Sequence, residues 1–288
     1  MTFKAQVARE FHETEKVKFA EFVVPEKDIY YATDSFDADK FATMAIADIE
    51  KESSDHVSVG FDTEGSIKVL QLYFTFNERK YALVFQLNKL IYNGKAPNGL
   101  VRLLSHPAIV FSGKKVNEEV IEVMTMMSID EAVIARTKIV ETQRCFELIE
   151  MISKGERFAF RYLEHGHYTP SYALPKNPFV AIDKQQQEDL GLKFIFRFFF
   201  PEETVSKLYE MRCPLFCDWS CLNKQMSQTM LQYAAGDAAT GLRALFECHA
   251  ALEEMGFAWT DLIERVDLNN SHNKNSPFES LQLTQFFR

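Results

Sequence analysis

The apolar residues of this chain change their period several times, and each change predicts a new element. Residues 1–24 mix charges with few apolar anchors and read as a helical or frayed arm. IYYAT, from Ile29, is strand-like; Phe36, Phe41, Met44, Ala45 and Ile49 then recur at helical spacing. Asp34 or Ser35 is placed to cap that helix. HVSVGFDTEG alternates, with Val57, Val59 and Phe61 on one face and Ser58, Gly60, Asp62 and Glu64 on the other. SIKVLQLYFTF and KYALVFQL are two further strands, paired as an antiparallel hairpin across Asn77-Glu78-Arg79. A short helix over Asn98–Leu104, a buried strand over Ala108–Gly113 and a helix over Asn117–Met127 follow. Next come a strand over Ala135–Thr142 and a helix over Gln143–Ile152.

Regularity then breaks. Residues 154–189 hold Gly, Pro, Tyr and His in irregular order and read as an inserted loop or small lobe. Helices return at Gly191–Phe200, Pro201–Met211 and Ser227–Met255. Asn269–Ser276 is a polar linker before a short tail ending at Arg288. A hairpin followed by strand–helix–strand units predicts an α/β fold whose mixed sheet is flanked by helices. The expected organisation is an arm (1–24), a main domain (25–256) interrupted by the insertion, and a C-terminal extension (257–288).

Composition narrows the function classes. A hydrophobic share of 47% rules out disorder as the main state. The formal net charge of −9 argues against holding nucleic acid by bulk electrostatics, though not against a local basic track around an acidic centre. Five cysteines, an odd number, and a charged N-terminus with no apolar run predict a soluble, reduced, intracellular protein without a membrane span.

Two patterns carry chemistry. Asp62 and Glu64 stand at i and i+2 at the end of a buried strand, so both side chains share one face. Adjacent acids repel and lose hydration unless a cation sits between them, and hard oxygen ligands suit Mg²⁺ or Mn²⁺. Tyr233 and Asp237 are four apart in a helix thinned by Ala234, Ala235, Ala238, Ala239 and Gly241. They lie one above the other on a helix face able to approach a sheet closely.

VGFDTEG, LQLYF, YALVFQL, GLKFIF with Lys207, and CDWSCLNKQMSQTMLQYAAGDAA occur in an order that resembles the DEDD superfamily of 3′→5′ exonucleases. The closer likeness is to its DEDDy branch, typified by ribonuclease D and the Werner-type exonuclease domain, over about residues 25–255. The resemblance implies a ribonuclease-H-like fold and two divalent metal ions, Mg²⁺ or Mn²⁺, held by four acids. It implies that Asp62 bridges both ions, that Glu64 completes one, and that Asp237 holds the ion carrying the attacking water. Tyr233 would orient that water. The substrate would be a single-stranded 3′ end, RNA slightly ahead of DNA, with 5′-monophosphates as products.

The family's second motif has Asp at a helix start; counting from Gly113, the matching position here is Glu119. Glu118 and Glu122 share a helix face, with Glu119 about 100° away. Glu141 stands where many relatives carry Asp and receives no chemical role. The substitution leaves two expectations open: an active exonuclease, or a degenerate one kept as a nucleic-acid- or protein-binding module. Lys114, Lys115, Lys193, Arg197, Lys207 and Lys224 fall near the expected edges of the site and are candidates for guiding phosphates. Cys213, Cys217 and Cys221 have a spacing that a metal tolerates but read better as free thiols, and His165 and His167 as exposed loop residues. At the C-terminus, Leu283, Phe286 and Phe287 follow the spacing of sliding-clamp-binding peptides, with Ser280 where such peptides carry Gln.

Overall fold

Strand β3 (Val57–Glu64) is the element from which the architecture is built. Its alternation is realised: Val57, Val59 and Phe61 enter one apolar layer, while Gly60 meets the opposite one. The computed structural model describes residues 20–22, 24–52, 54–65, 67–77, 79–153, 195, 199–200, 203–205, 225–254 and 256–268.

β3 continues antiparallel into β4 (Val69–Thr75) and β4 into β5 (Lys80–Gln86). The β4–β5 turn is closed by reciprocal backbone hydrogen bonds between Phe76 and Arg79. On the other side of β3, β6 (Ile109–Gly113) and β7 (Lys138–Glu141) pair parallel. β2 (Ile29–Ala32) and β9 (Glu264–Arg265) complete a seven-stranded sheet in the order β2-β5-β4-β3-β6-β7-β9. Three antiparallel strands followed by two parallel ones make its centre a ribonuclease-H-like sheet, as expected from the sequence.

Helices cover both faces. Helix α1 (Ser35–Lys51) is capped by Asp34, whose carboxylate accepts the Asp37 N–H at 3.0 Å. Ala38, Ala42, Ala45, Ile46 and Ile49 form its buried stripe. Phe36 is not part of that stripe: it lies in the first turn, before the helix meets the sheet, and is 78% exposed. Helix α2 (Asn98–Leu104) docks on α1 where Asp39 accepts the Gly99 N–H at 2.6 Å. Helix α3 (Val116–Met126) joins the same layer. On the opposite face lie α4 (Thr142–Ser153) and the 27-residue α5 (Gln228–Glu254).

Three expectations are corrected. Glu203–Val205 is a strand, β8, not part of a helix over Pro201–Met211. It pairs in parallel with β1 (Ala20–Phe22), which the sequence placed in a helical or frayed arm. Adjacent β-branched residues, Thr204 and Val205, favour the strand, and the pairing partner is far away in sequence. The Ala135–Thr142 strand is shorter, because Glu131–Ile134 forms a helical turn capped by Asp130 and Thr142 already begins α4. The whole 154–189 insertion with His165 and His167, the three closely spaced cysteines, the polar linker and the Leu283–Phe287 motif lie outside the described residues. Among the described residues Cys145 and Cys248 are buried free thiols, and no helix is long and apolar enough to cross a membrane.

Candidate metal centre

Two glycines let three elements meet at the end of β3. A Cβ on Gly60 would stand 2.2 Å from the Ala238 carbonyl oxygen, so α5 rests on bare backbone there. A Cβ on Gly113 would stand 2.4 Å from the Phe61 carbonyl oxygen, so the β6–α3 corner presses on β3 from the side. The small residues of α5 make the first approach possible, and the result is a convergence of acids carried by β3, α3 and α5.

Asp62, Glu64 and Asp237 each offer a carboxylate oxygen, and these oxygens lie within 4.8 Å of one another. Asp62 and Glu64 are half-buried; Asp237 is only 2% exposed. At that separation each pair of ionised groups repels by about 3–4 kcal/mol with an effective dielectric near 20. A structure stable at neutral pH compensates with a cation or with protons. Oxygens bound to one Mg²⁺ lie at most about 4.2 Å apart, twice the usual bond length, so the trio needs only slight closure. The donor set is all hard oxygen, which fits Mg²⁺ or Mn²⁺.

Glu119 approaches from the first turn of α3 but is not among the three mutually close carboxylates. Its Oε2 is buried and accepts no hydrogen bond. Burial pushes the Glu119 carboxyl up to about 9, and the charges of Asp62 and Glu141 add to the effect. A buried acidic oxygen without a hydrogen-bond partner, within the fields of Asp62 and Glu64, is a donor that a hard divalent cation would suit. Glu118 points to solvent, in keeping with the helical phase read from the sequence.

Glu141, at the end of β7, has a clear structural task. It accepts the Asn117 N–H at 2.9 Å, and the Lys115 and Val116 N–H groups also reach it. A carboxylate here satisfies the orphan donors of the α3 N-terminus and anchors the helix that carries Glu119. Burial raises its pKa, while these donors and Arg144 oppose the rise. The preceding Lys115 adopts the left-handed region, φ 59°, where the chain turns into α3. Lys115 is exposed and Lys114 half-buried beside this corner. Lys193, Arg197, Lys207 and Lys224 lie outside the described residues.

Gln71 is a residue that the sequence pattern alone does not assign to the site. It pairs directly with Asp62 across β3 and β4, is fully buried, and neither its Oε1 nor its Nε2 has a hydrogen-bond partner. The available signal was a lone amide inside the apolar run VLQLYF. One strand over, Gln86 is equally buried, but its Oε1 accepts the Tyr31 hydroxyl at 2.5 Å. That hydroxyl in turn accepts the Met226 N–H at 3.0 Å, tying β2 and β5 to the approach to α5.

Glu119→Gln tests the electrostatics without any substrate. In metal-free wild-type protein the raised pKa means that stability is greatest at low pH and falls as pH rises from the unfolded value, near 4.5, towards about 9. The variant has no proton to lose at this position. It is expected to be more stable than wild type at pH 8 in chelator, by about 1–3 kcal/mol, and level with it near pH 4.5. Urea unfolding at the two pH values checks this; equal stability at pH 8 would place Glu119 in a solvated setting.

No protein-family model matches the chain, and no curated protein matches it. Solved structures do. The chain is 17% identical to a nuclease in its apo form, covering 80% of this chain and 84% of that one at a TM-score of 0.46. It is 14% identical to an EXD2 exonuclease domain soaked in Mg, covering 79% and 93% at a TM-score of 0.33. The same domain soaked in Mn and dGMP gives 14% identity, 79% and 94% coverage and a TM-score of 0.35. Identity this low says nothing about activity, so the chemistry is read from the site's own residues.

Proposed function

We propose that the protein is a metal-dependent 3′→5′ exonuclease that removes 5′-monophosphates from single-stranded nucleic acid, RNA ahead of DNA. The observation that carries this reading is the convergence of Asp62, Glu64 and Asp237 within 4.8 Å, from a strand end and a distant helix, with Tyr233 one turn before Asp237. Asp62, Glu64 and Asp237 hold divalent cations, two in the full site, and Glu119 joins as a longer fourth ligand. Bound cations lower the pKa of water and stabilise the departing 3′ oxygen. The chain's own groups do the positioning. The carboxylates set where the cations lie relative to the scissile phosphate, and the Tyr233 hydroxyl orients the attacking water. Lys114 and Lys115, at the β6–α3 corner, are placed to take backbone phosphates. The buried free thiols Cys145 and Cys248 suit a reducing, intracellular setting.

Glu119's position outside the tight trio favours a second reading, a binding module on the same fold that has lost turnover. Digestion of matched 3′-labelled RNA and DNA strands in Mg²⁺ or Mn²⁺ separates the two. Stepwise shortening from the 3′ end supports the enzyme; binding without shortening supports the module.

Tyr233→Phe is expected to lower kcat by about 10²-fold or more while KM stays within about twofold. The ring remains to fill its buried place, and only the hydroxyl is lost. Single-turnover and steady-state rates on the same strand measure both quantities. An unchanged kcat takes Tyr233 out of the mechanism.

A further inference from the structure

Gln71 poses a question the proposed chemistry does not answer. A buried amide with no partner is destabilising, and a leucine of similar size at that position would avoid the cost. Its same-face neighbours Val69 and Tyr73 are apolar and buried, so the α5 side of the strand accommodates such residues. The position is informative. Val69, Gln71 and Tyr73 alternate onto the face covered by α5, where Val69 and Tyr73 pack with the small residues of that helix. On the sheet, Gln71 stands between Val84 of β5 and Asp62 of β3. Directly opposed residues on one face have Cβ atoms about 4.5–5.5 Å apart, so the amide and the Asp62 carboxylate are within each other's reach. Gln86, one strand away, shows a buried amide of the same sheet with its oxygen satisfied.

We infer that Gln71 is a positioning residue for the carboxylate centre: with a divalent cation bound, its carboxamide hydrogen-bonds the Asp62 carboxylate, directly or through one buried water, and holds it in the orientation that binds the cation. The inference rests on the reading of Asp62, Glu64 and Asp237 as a metal site. Its physical basis is that a carboxylate ligand retains rotational freedom unless its outer oxygen is held, and a neutral donor holds it without competing for the cation. A glutamine does this; a lysine would compete by charge, and a leucine would leave the carboxylate loose.

The test compares full-length wild type with Gln71→Leu and Gln71→Met by thermal unfolding, first in chelator and then across a Mn²⁺ titration. In chelator both variants are expected to melt at or above the wild-type temperature, because no hydrogen bond is lost. The Mn²⁺ concentration giving the half-maximal rise in melting temperature is expected to increase about tenfold or more in both. In the double variant Gln71→Leu/Asp62→Asn the Gln71 change should shift the midpoint much less, since its target is altered. An unchanged Mn²⁺ midpoint in Gln71→Leu and Gln71→Met overturns the inference while leaving the metal centre intact. Lower melting in chelator, or failure to fold, also overturns it by making the amide a structural partner. Wild type that shows no Mn²⁺-dependent rise at all removes the metal-centre reading and this inference together.

Discussion

Asp62→Ala is expected to leave the protein folded and to reduce digestion of a labelled strand by about 10³-fold or more. Folding should survive because Asp62 is half-buried at a strand end, and its charge opposes those of Glu64 and Asp237. Removing it relieves repulsion, so metal-free melting should hold or rise. The response to metal should fall with the activity. A ligand at 100 times its dissociation constant stabilises a protein by about 2.7 kcal/mol, and the variant should lose most of that gain. Unfolding with and without Mn²⁺, beside a digestion assay on the same preparation, gives both readouts. Digestion at the wild-type rate would end the proposal that this cluster is the reaction centre.

The second large effect is expected from a residue with no side chain. Gly60→Ala places a methyl group 2.2 Å from the Ala238 carbonyl oxygen and 2.9 Å from its carbon. Both obstacles are helix backbone, so no rotamer change relieves the clash, and α5 must move off the sheet. Overpacking of a core costs about 1–3 kcal/mol when side chains can adjust, and a backbone collision belongs at or above the top of that range. A loss of about 3 kcal/mol lowers the melting temperature of a domain this size by roughly 6–12 °C. The residue after Asp237 is the one displaced, so metal response and activity should fall with stability. Melting temperature and Mn²⁺ midpoint measured on Gly60→Ala check the account. Wild-type values for both would mean that α5 does not rest on this strand.

What the sequence made legible follows from which interactions are local. The alternation of Val57 to Glu64 is an intrinsic consequence of pleating with one apolar face, so the placement of Asp62 and Glu64 together could be read directly. The long helix was legible to within one residue at each end, because its apolar and small residues keep one period from Leu231 to Leu252. β4 was legible as a strand but not as to its faces: it is buried on both sides, so Gln71 stands out only once both layers are seen. The β1–β8 pairing was not legible, since three residues at each end of a distant contact carry too little pattern to outweigh a helical reading. Glu119 was assigned by counting from Gly113, and helical phase explains why it faces inward while Glu118 does not. Its distance from the tight trio depends on how α3 seats against β3, a tertiary quantity.

Asp62 and Asp237 are separated by more than half the chain, yet the site needs both. During synthesis at 5–20 residues per second, the β3–β4–β5 meander leaves the ribosome roughly 10–35 s before α5 does. Through that interval Asp62 and Glu64 lack the helix carboxylate that completes the trio. The carboxylate trio is therefore assembled only when α5 docks on Gly60, so that completing the fold and completing the site are one event.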